Sequence, residues 1–212
     1  MDANVNIRRE MLAEKVIRGL ESRNMTGYFV KTKEEALAKA LELIPEGSSI
    51  GWGGSVSVNA IGLRDAVING NYKVLNRDAC TTREERKAVE VSIFGADYFL
   101  CSTNAITEDG ILVNIDGNSN RVAAIAYGPS HVIMIVGMNK VAKDVESALS
   151  RARNIAAPIN AQRFPLDTPC KKNGSCANCK SRDTICCEFL ITRYSRHADR
   201  FHVILVNEDL GY

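Results

Sequence analysis

Three groups of residues in this 212-residue chain have types and spacings suited to chemistry. The first is Ser49-Ile50-Gly51-Trp52-Gly53-Gly54-Ser55-Val56-Ser57-Val58-Asn59, an apolar entry that breaks into glycines and small polar residues. Glycines let the main chain approach a ligand closely, and the first amides of a helix that follows have no internal partner. Such a loop is an anion site for a phosphate or a carboxylate, with Gly51, Gly53, Gly54, Ser55, Ser57 and Asn59 as candidate ligand-binding residues. The second group is Asn114-Ile115-Asp116-Gly117-Asn118-Ser119-Asn120-Arg121. Its Asp-x-Asn-x-Asn spacing is similar to a calcium loop, but Arg121 stands where that loop needs glycine and Tyr127 where it needs glutamate, so calcium is rejected. Two readings stay open: a turn whose Asn and Asp side chains bond their own backbone, or a ligand loop using Asp116, Asn118, Asn120 and the planar donor of Arg121.

The third group is cysteine. Five of the seven cysteines fall in one segment, Cys170, Cys176, Cys179, Cys186 and Cys187, in a C-x5-C-x2-C-x6-C pattern with Cys187 as an alternative fourth ligand. Four thiolates hold either an iron–sulfur cluster, such as a four-iron, four-sulfur one, or a tetrahedral zinc. Zinc sites usually show two close cysteine pairs, and this run has one Cys-x-x-Cys, which tips the reading toward the cluster. Lys171, Lys172, Lys180 and Arg182 surround the thiols with positive charge that favours thiolates. Cys80 and Cys101, outside the segment, read as small buried hydrophobes.

These groups need elements to hold them, and the pattern of apolar residues supplies them. Helical spacing marks 8–23, Lys33 to Ile44, Ala60 to Ile68, Thr82 to Phe94, Arg121 to Tyr127, and Val141 to Ile155 with Pro158 as its stop. Thr82 and Glu85 fit a capping box. Short apolar runs mark strands at Tyr28–Val30, Lys73–Leu75, Asp97–Cys101, Ile111–Ile115, His131–Val136 and His202–Val206. Alternating strands and helices predict an α/β, Rossmann-like fold with a largely parallel sheet flanked by helices, mixed by an antiparallel pair at Glu108-Asp109-Gly110. In such sheets ligands sit beyond the carboxyl ends of strands, where the glycine loop and Ser102-Thr103-Asn104 fall. A single domain over 1–212 with a cysteine-rich excursion at 165–190 is the simplest organisation.

Composition narrows the function classes. A net charge of +2 argues against a broad nucleic-acid footprint, and the apolar stretches are strand-length, too short for a membrane span. The polar, charged start lacks a secretory core, so the cytoplasm is the expected compartment. There, clustered thiols favour metal over disulfides. Gly51-Trp52-Gly53-Gly54-Ser55-Val56 has valine where a dinucleotide motif needs its third glycine, and no Gly-Lys-Ser or Gly-Lys-Thr P-loop exists. Trp52 reads as packing on the sheet or as an apolar wall of the ligand pocket, the former favoured, and His131 and His202 as strand residues.

The glycine loop through Gly62-Leu63, the run Thr103-Asn104-Ala105-Ile106-Thr107-Glu108-Asp109-Gly110, and Asn114 to Arg121 together resemble the LUD-domain family, named for lactate utilisation. The resemblance extends through Ile155-Ala156-Ala157-Pro158-Ile159-Asn160 and the cysteines, nearly the whole chain. It implies a fold similar to ribose-5-phosphate isomerase, glucosamine-6-phosphate deaminase and the CoA transferases, in which a loop like Gly51–Ser57 holds a sugar phosphate or acyl-CoA. Asn104 is a ligand candidate by its place beyond the strand ending at Cys101, and the resemblance makes Glu108 and Asp109 the nearest candidates for catalytic acids, although their spacing departs from the isomerase pattern. It also implies a part in oxidising L-lactate to pyruvate beside iron–sulfur partner proteins. The expectation is therefore a component that binds a small anionic metabolite, a 2-hydroxy or 2-oxo acid or an acyl-CoA, and carries an iron–sulfur cluster. The alternatives are a stand-alone isomerase- or CoA-transferase-like enzyme, or a metabolite sensor, with structural zinc or no metal. Self-association into a homo-oligomer is compatible with either.

Overall fold

The computed structural model describes residues 2–212. Ten strands build it: β1 Thr26–Val30, β2 Ser49–Trp52, β3 Lys73–Val74, β4 Tyr98–Cys101, β5 Ala105–Thr107, β6 Leu112–Asp116, β7 His131–Gly137, β8 Val141–Ala142, β9 Glu188–Thr192 and β10 Phe201–Val206. Six of them form a wholly parallel sheet in the order β1-β10-β7-β4-β2-β3. Because strand side chains alternate between faces, one continuous apolar run can serve two layers. In β7, Val132, Met134 and Val136 enter one core with Val16 and Leu20 of helix Ala3–Glu21. Ile133 and Ile135 enter the other, with Ala36 and Ala40 of helix Lys33–Glu42 and Leu63 and Val67 of helix Leu63–Asn69. The sheet is thus covered on both faces by helices, as the strand–helix alternation predicts.

The antiparallel pair expected around Glu108–Gly110 is present as β5–β6, and it belongs to a second sheet, β8-β5-β6-β9, in which β6–β9 is also antiparallel. This sheet rests on helix Val145–Arg151 through Ala105, Val113, Ile115, Ala148 and Ala152.

Two local departures from the sequence expectation shape the functional region. The helix expected over 60–68 is broken at Gly62, whose φ of +74° ends helix Val56–Ala60 and starts Leu63–Asn69. A left-handed residue cannot continue a right-handed helix. The first helix is therefore only one turn long and its dipole is small. Pro158, expected as a stop, instead lies inside the helical segment Ala157–Ala161, which follows Val145–Arg151 through a π-helical turn at Ala152–Ala156. The wider turn accommodates a residue with no N–H to give. Among the described residues, no helix is long and apolar enough to cross a membrane.

Candidate functional site

The carboxyl ends of β2, β4 and β7 open into a cleft of about 680 Å³. From β2 the chain leaves as the glycine loop. The Gly53 amide still bonds the Leu100 carbonyl of β4 at 3.2 Å. Among the described residues the amides of Gly54, Ser55 and Val56 take no protein acceptor. The Ser55 hydroxyl caps helix Val56–Ala60 by accepting from the Val58 amide at 3.2 Å. The loop glycines differ in purpose. A Cβ on Gly53 would meet the Arg121 stem at 2.9 Å, whereas one on Gly54 would find only Arg77 Nη2 at 3.5 Å. Gly53 makes room for Arg121 rather than for a ligand, and Gly54 is the open position.

Arg121 is the strut of the cleft wall. Its Nη1 donates to the Asn114 Oδ1 at 2.6 Å and the Ser102 carbonyl at 3.0 Å, and its Nη2 to the Asn104 Oδ1 at 3.0 Å and the Ile115 carbonyl at 2.7 Å. All four acceptors are neutral, so among the described residues the guanidinium charge has no carboxylate within ion-pair distance. Asn104 also accepts from the Ile115 amide at 2.8 Å. Asp116 accepts from the backbone amides of Gly117, Arg121 and Val122 at 2.9–3.1 Å, holding the start of helix Asn120–Ala126. Of the two readings left open for this loop, Asp116 follows the turn. Asn120 donates to Glu90 Oε1 at 3.0 Å, and Asn118 lines the cleft.

The residue that sequence reasoning missed is Lys140, just after the end of β7. Its side chain is almost fully buried at the cleft floor, and its Nζ lies 3.1 Å from the Ser57 Oγ and 3.0 Å from the Ser102 Oγ. Burial first, then the Arg151 and Arg121 charges, hold its ammonium down to a pKa of about 7. Its position beyond a parallel strand's carboxyl end was the available signal. Arg77 was missed as well; it is buried behind Gly54 and paired with Glu90 at 3.0 Å. The lining carries Arg64, Arg77, Arg86, Arg163 and Arg182 besides Arg121 and Lys140, against the carboxylates of Asp78, Asp116 and Asp183, which leaves the cleft electropositive. Trp52 is buried, with its indole N–H on Asp78 at 2.9 Å.

Glu108 and Asp109 are not brought to this cleft. They sit in the β5–β6 turn, where Glu108 pairs with Lys15 and Lys143, and Asp109 with Arg23 and the Thr107 hydroxyl. Hydrogen bonds from Lys15 and Lys143 hold the Glu108 carboxyl below its usual range, and the Thr107 hydroxyl does the same for Asp109. Glu108 anchors helix Ala3–Glu21 through Lys15, and Asp109 anchors the turn just after it through Arg23. His131 and His202 lie toward the starts of their strands, at the opposite end of the sheet, and bond the Asp199 carbonyl at 2.8 and 2.9 Å.

A separate small cavity of about 70 Å³ is lined by Cys170, Cys176, Cys179 and Cys186, together with Arg153, Thr168, Thr184 and Ile185. Burial, then the sulfurs of Cys176, Cys170 and Cys179, push the Cys186 thiol up to about 11. Arg153 Nη2 lies 3.6 Å from the Cys176 Sγ. Cys187 is exposed and outside the cavity lining. Cys101 is buried in the core with its thiol pushed up to about 12 by burial. Thr184 and Ile185 line both the cysteine cavity and the large cleft, so one stretch of chain separates the two. Gly117 seats that wall: a Cβ there would meet the Ile185 backbone at 2.9 Å.

The family model of the LUD domain matches residues 13–206. The structure is similar to a DUF162 family protein from Deinococcus radiodurans, with a TM-score of 0.54 and 14% identity over 94% of this chain and 98% of that one. A looser likeness, with a TM-score of 0.35 and 16% identity, joins 53% of this chain to 54% of ribose 5 phosphate isomerase A from Neisseria gonorrhoeae. A comparison with curated proteins finds no match.

Proposed function

The chain belongs to the LUD-domain family, and from that premise we propose that it binds a small 2-hydroxy or 2-oxo acid, such as lactate or pyruvate, as an oxidoreductase component carrying an iron–sulfur cluster. One observation carries the reading of the cleft. Lys140 and Arg121 line it from the floor and wall, and among the described residues their side-chain nitrogens are bonded to neutral oxygens alone. Buried or half-buried cations are normally paired with an anion, and a carboxylate ligand supplies one. The amides of Gly54 and Ser55, which take no protein acceptor among the described residues, add donors to the same cleft. Ser57, Asn59, Asn104, Asn118 and Asn120 line this cleft without carrying charge, whereas Gly51 lies outside its lining, in β2, where the missing side chain makes room for Ile93.

Cys170, Cys176, Cys179 and Cys186 would hold the metal centre, and the donor set fits an iron–sulfur cluster. A tetrahedral zinc with Zn–S bonds of about 2.3 Å draws its sulfurs to about 3.8 Å from one another. Among the described residues, no three of these sulfurs lie within 4.8 Å of one another, while all four line one cavity. The wider spacing favours the larger group. When bound, such a cluster supplies one-electron transfer. The chain's own part is to keep the four thiols around one cavity, to place Arg153 against Cys176, and to set Thr184–Ile185 against both that cavity and the cleft.

The test has two arms. Calorimetric titration with pyruvate and L-lactate should show binding that weakens at least tenfold in Lys140→Met. Anaerobic purification should give a brown protein with iron and acid-labile sulfide, lost in Cys176→Ser/Cys179→Ser. Absence of any carboxylate binding sinks the cleft reading, and stoichiometric zinc in colourless protein sinks the cluster.

A further inference from the structure

Lys140 carries more than a charge. The Ser102 hydroxyl donates to the Ile135 carbonyl at 2.6 Å, and the Ser57 hydroxyl to the Leu210 carbonyl at 3.2 Å. Each serine has one hydrogen to give, so toward Lys140 both hydroxyl oxygens act as acceptors. A neutral amine has two N–H bonds, and these two oxygens take both. The nitrogen lone pair then has no protein partner, on a group that lines the cleft. Among the described residues no carboxylate lies within bonding distance of Nζ, so until an anionic ligand enters the cleft nothing beside Lys140 holds its proton in place. Its charged neighbours push the same way. Arg121 from helix Asn120–Ala126 and Arg151 from helix Val145–Arg151 oppose protonation, and the Cys101 thiol of β4 is the one group favouring it. Helix Val56–Ala60 brings no charge, and the tail carboxylate nearest Leu210, Asp209, pairs with Arg9 and acts on Arg151 rather than on the amine.

We propose that Lys140 is a covalent nucleophile, whose Nζ adds to the carbonyl carbon of a 2-oxo acid in the cleft and forms an imine. This rests on the reading of the cleft as a carboxylate site. The amine lone pair forms the C–N bond while the carbonyl π pair moves to oxygen, and a proton passes from nitrogen to that oxygen, giving a carbinolamine. The second nitrogen proton leaves with the hydroxyl as water, giving C=N; no oxidant or reductant is consumed. Ser57 and Ser102, each already in contact with Nζ, are placed to pass these protons. A 2-hydroxy acid binds the same cleft but has no carbonyl to react.

The experiment incubates the full chain with pyruvate and cyanoborohydride, which reduces an imine to a stable secondary amine, and maps the adduct by peptide mass spectrometry. One adduct on the Lys140 peptide is expected, absent in Lys140→Met and suppressed by excess L-lactate. Trapping in the wild-type chain should rise about tenfold between pH 6 and pH 8, as expected for an amine half neutral near pH 7. A surface lysine would still be climbing toward pH 10. The pH profile stands even if Lys140→Met fails to fold. Pyruvate binding by calorimetry without an adduct at Lys140 overturns the proposal and leaves the cleft reading intact. An adduct spread over many lysines and unchanged in Lys140→Met overturns it too. Neither binding nor adduct overturns both.

Discussion

Arg121→Ala should destabilise the ligand-free protein by roughly 2–5 kcal/mol, because the guanidinium is the donor for four wall oxygens. Asn114 is fully buried, and its Nδ2 is already without a partner, so losing Arg121 leaves the whole amide unpaired. The Ser102 carbonyl belongs to a residue only 7% exposed. Two such buried acceptors at roughly 1–3 kcal/mol each set the scale, and the half-buried Asn104 oxygen, which cleft water can reach, adds little. For a chain of this length the loss lowers Tm by roughly 5–15 °C, read by differential scanning calorimetry. Arg121→Lys is the decisive companion. It keeps the charge, but one ammonium cannot span Asn114 and Ser102 on one side and Asn104 and Ile115 on the other. At least half of the alanine loss should persist in it. A lysine variant melting within a degree or so of wild type would show that charge alone matters and that the four-oxygen strut does not.

Gly53→Ala, which drives a Cβ to 2.9 Å from the Arg121 stem, should cost roughly 1–3 kcal/mol by urea denaturation, whereas Gly54→Ala should change stability by less than about 0.5 kcal/mol. Equal losses at the two positions would mean that Arg121 is not what Gly53 accommodates. Stability should rise as pH goes from about 7 toward the ordinary lysine range, because the unfolded chain there still binds the proton that folded Lys140 has released. Lys140→Met should flatten that rise; an unchanged pH slope between pH 7 and 10 would put the buried amine in its ordinary titration range. Glu108→Gln and Asp109→Asn should leave pyruvate affinity within about twofold and cost no more than about 1 kcal/mol each, as ion pairs with one solvent-exposed partner do. A tenfold loss of affinity in either would return those carboxylates to the site.

What the sequence made legible follows period and punctuation. Continuous apolar runs such as Val132–Val136 and Val203–Val206 announce strands buried on both faces, and the structure puts both at the centre of the parallel sheet. The Thr82–Glu85 capping box is present as read. The strand β9 was not legible: Glu188-Phe189-Leu190-Ile191-Thr192 follows two cysteines and is half exposed along its length, so it offers no burial pattern to read. In the candidate site, types that announce themselves in one stretch of chain were found, as with the glycine loop and Arg121. Lys140 was not, because a single lysine after a strand looks like any surface lysine until Ser57 and Ser102 are folded onto it from 83 and 38 residues away. Glu108 and Asp109 misled for the converse reason: adjacent carboxylates beside a family-like run read as acids, but a tight turn aims them at Lys15 and Arg23.

The second sheet is the device that turns a parallel α/β core into a two-chamber protein. β6 delivers Asn114 and Asp116 to the cleft wall, and its partner β9 begins directly after Cys186 and Cys187, with the Cys187 amide bonded to the Asp116 carbonyl at 2.9 Å. The same strand pairing therefore sets the register of Arg121's acceptors and the position of the last cysteine. A shift of β6 against β9 by one residue would turn Asn114 away from Arg121 and carry Cys186 out of its cavity together, since side chains one apart face opposite ways. Charge in the cleft and thiols in the cavity are consequently not independent sites joined by chance. They share Thr184–Ile185 as a wall and β6–β9 as a frame, so a change that loosens the frame should weaken carboxylate binding and metal retention in parallel.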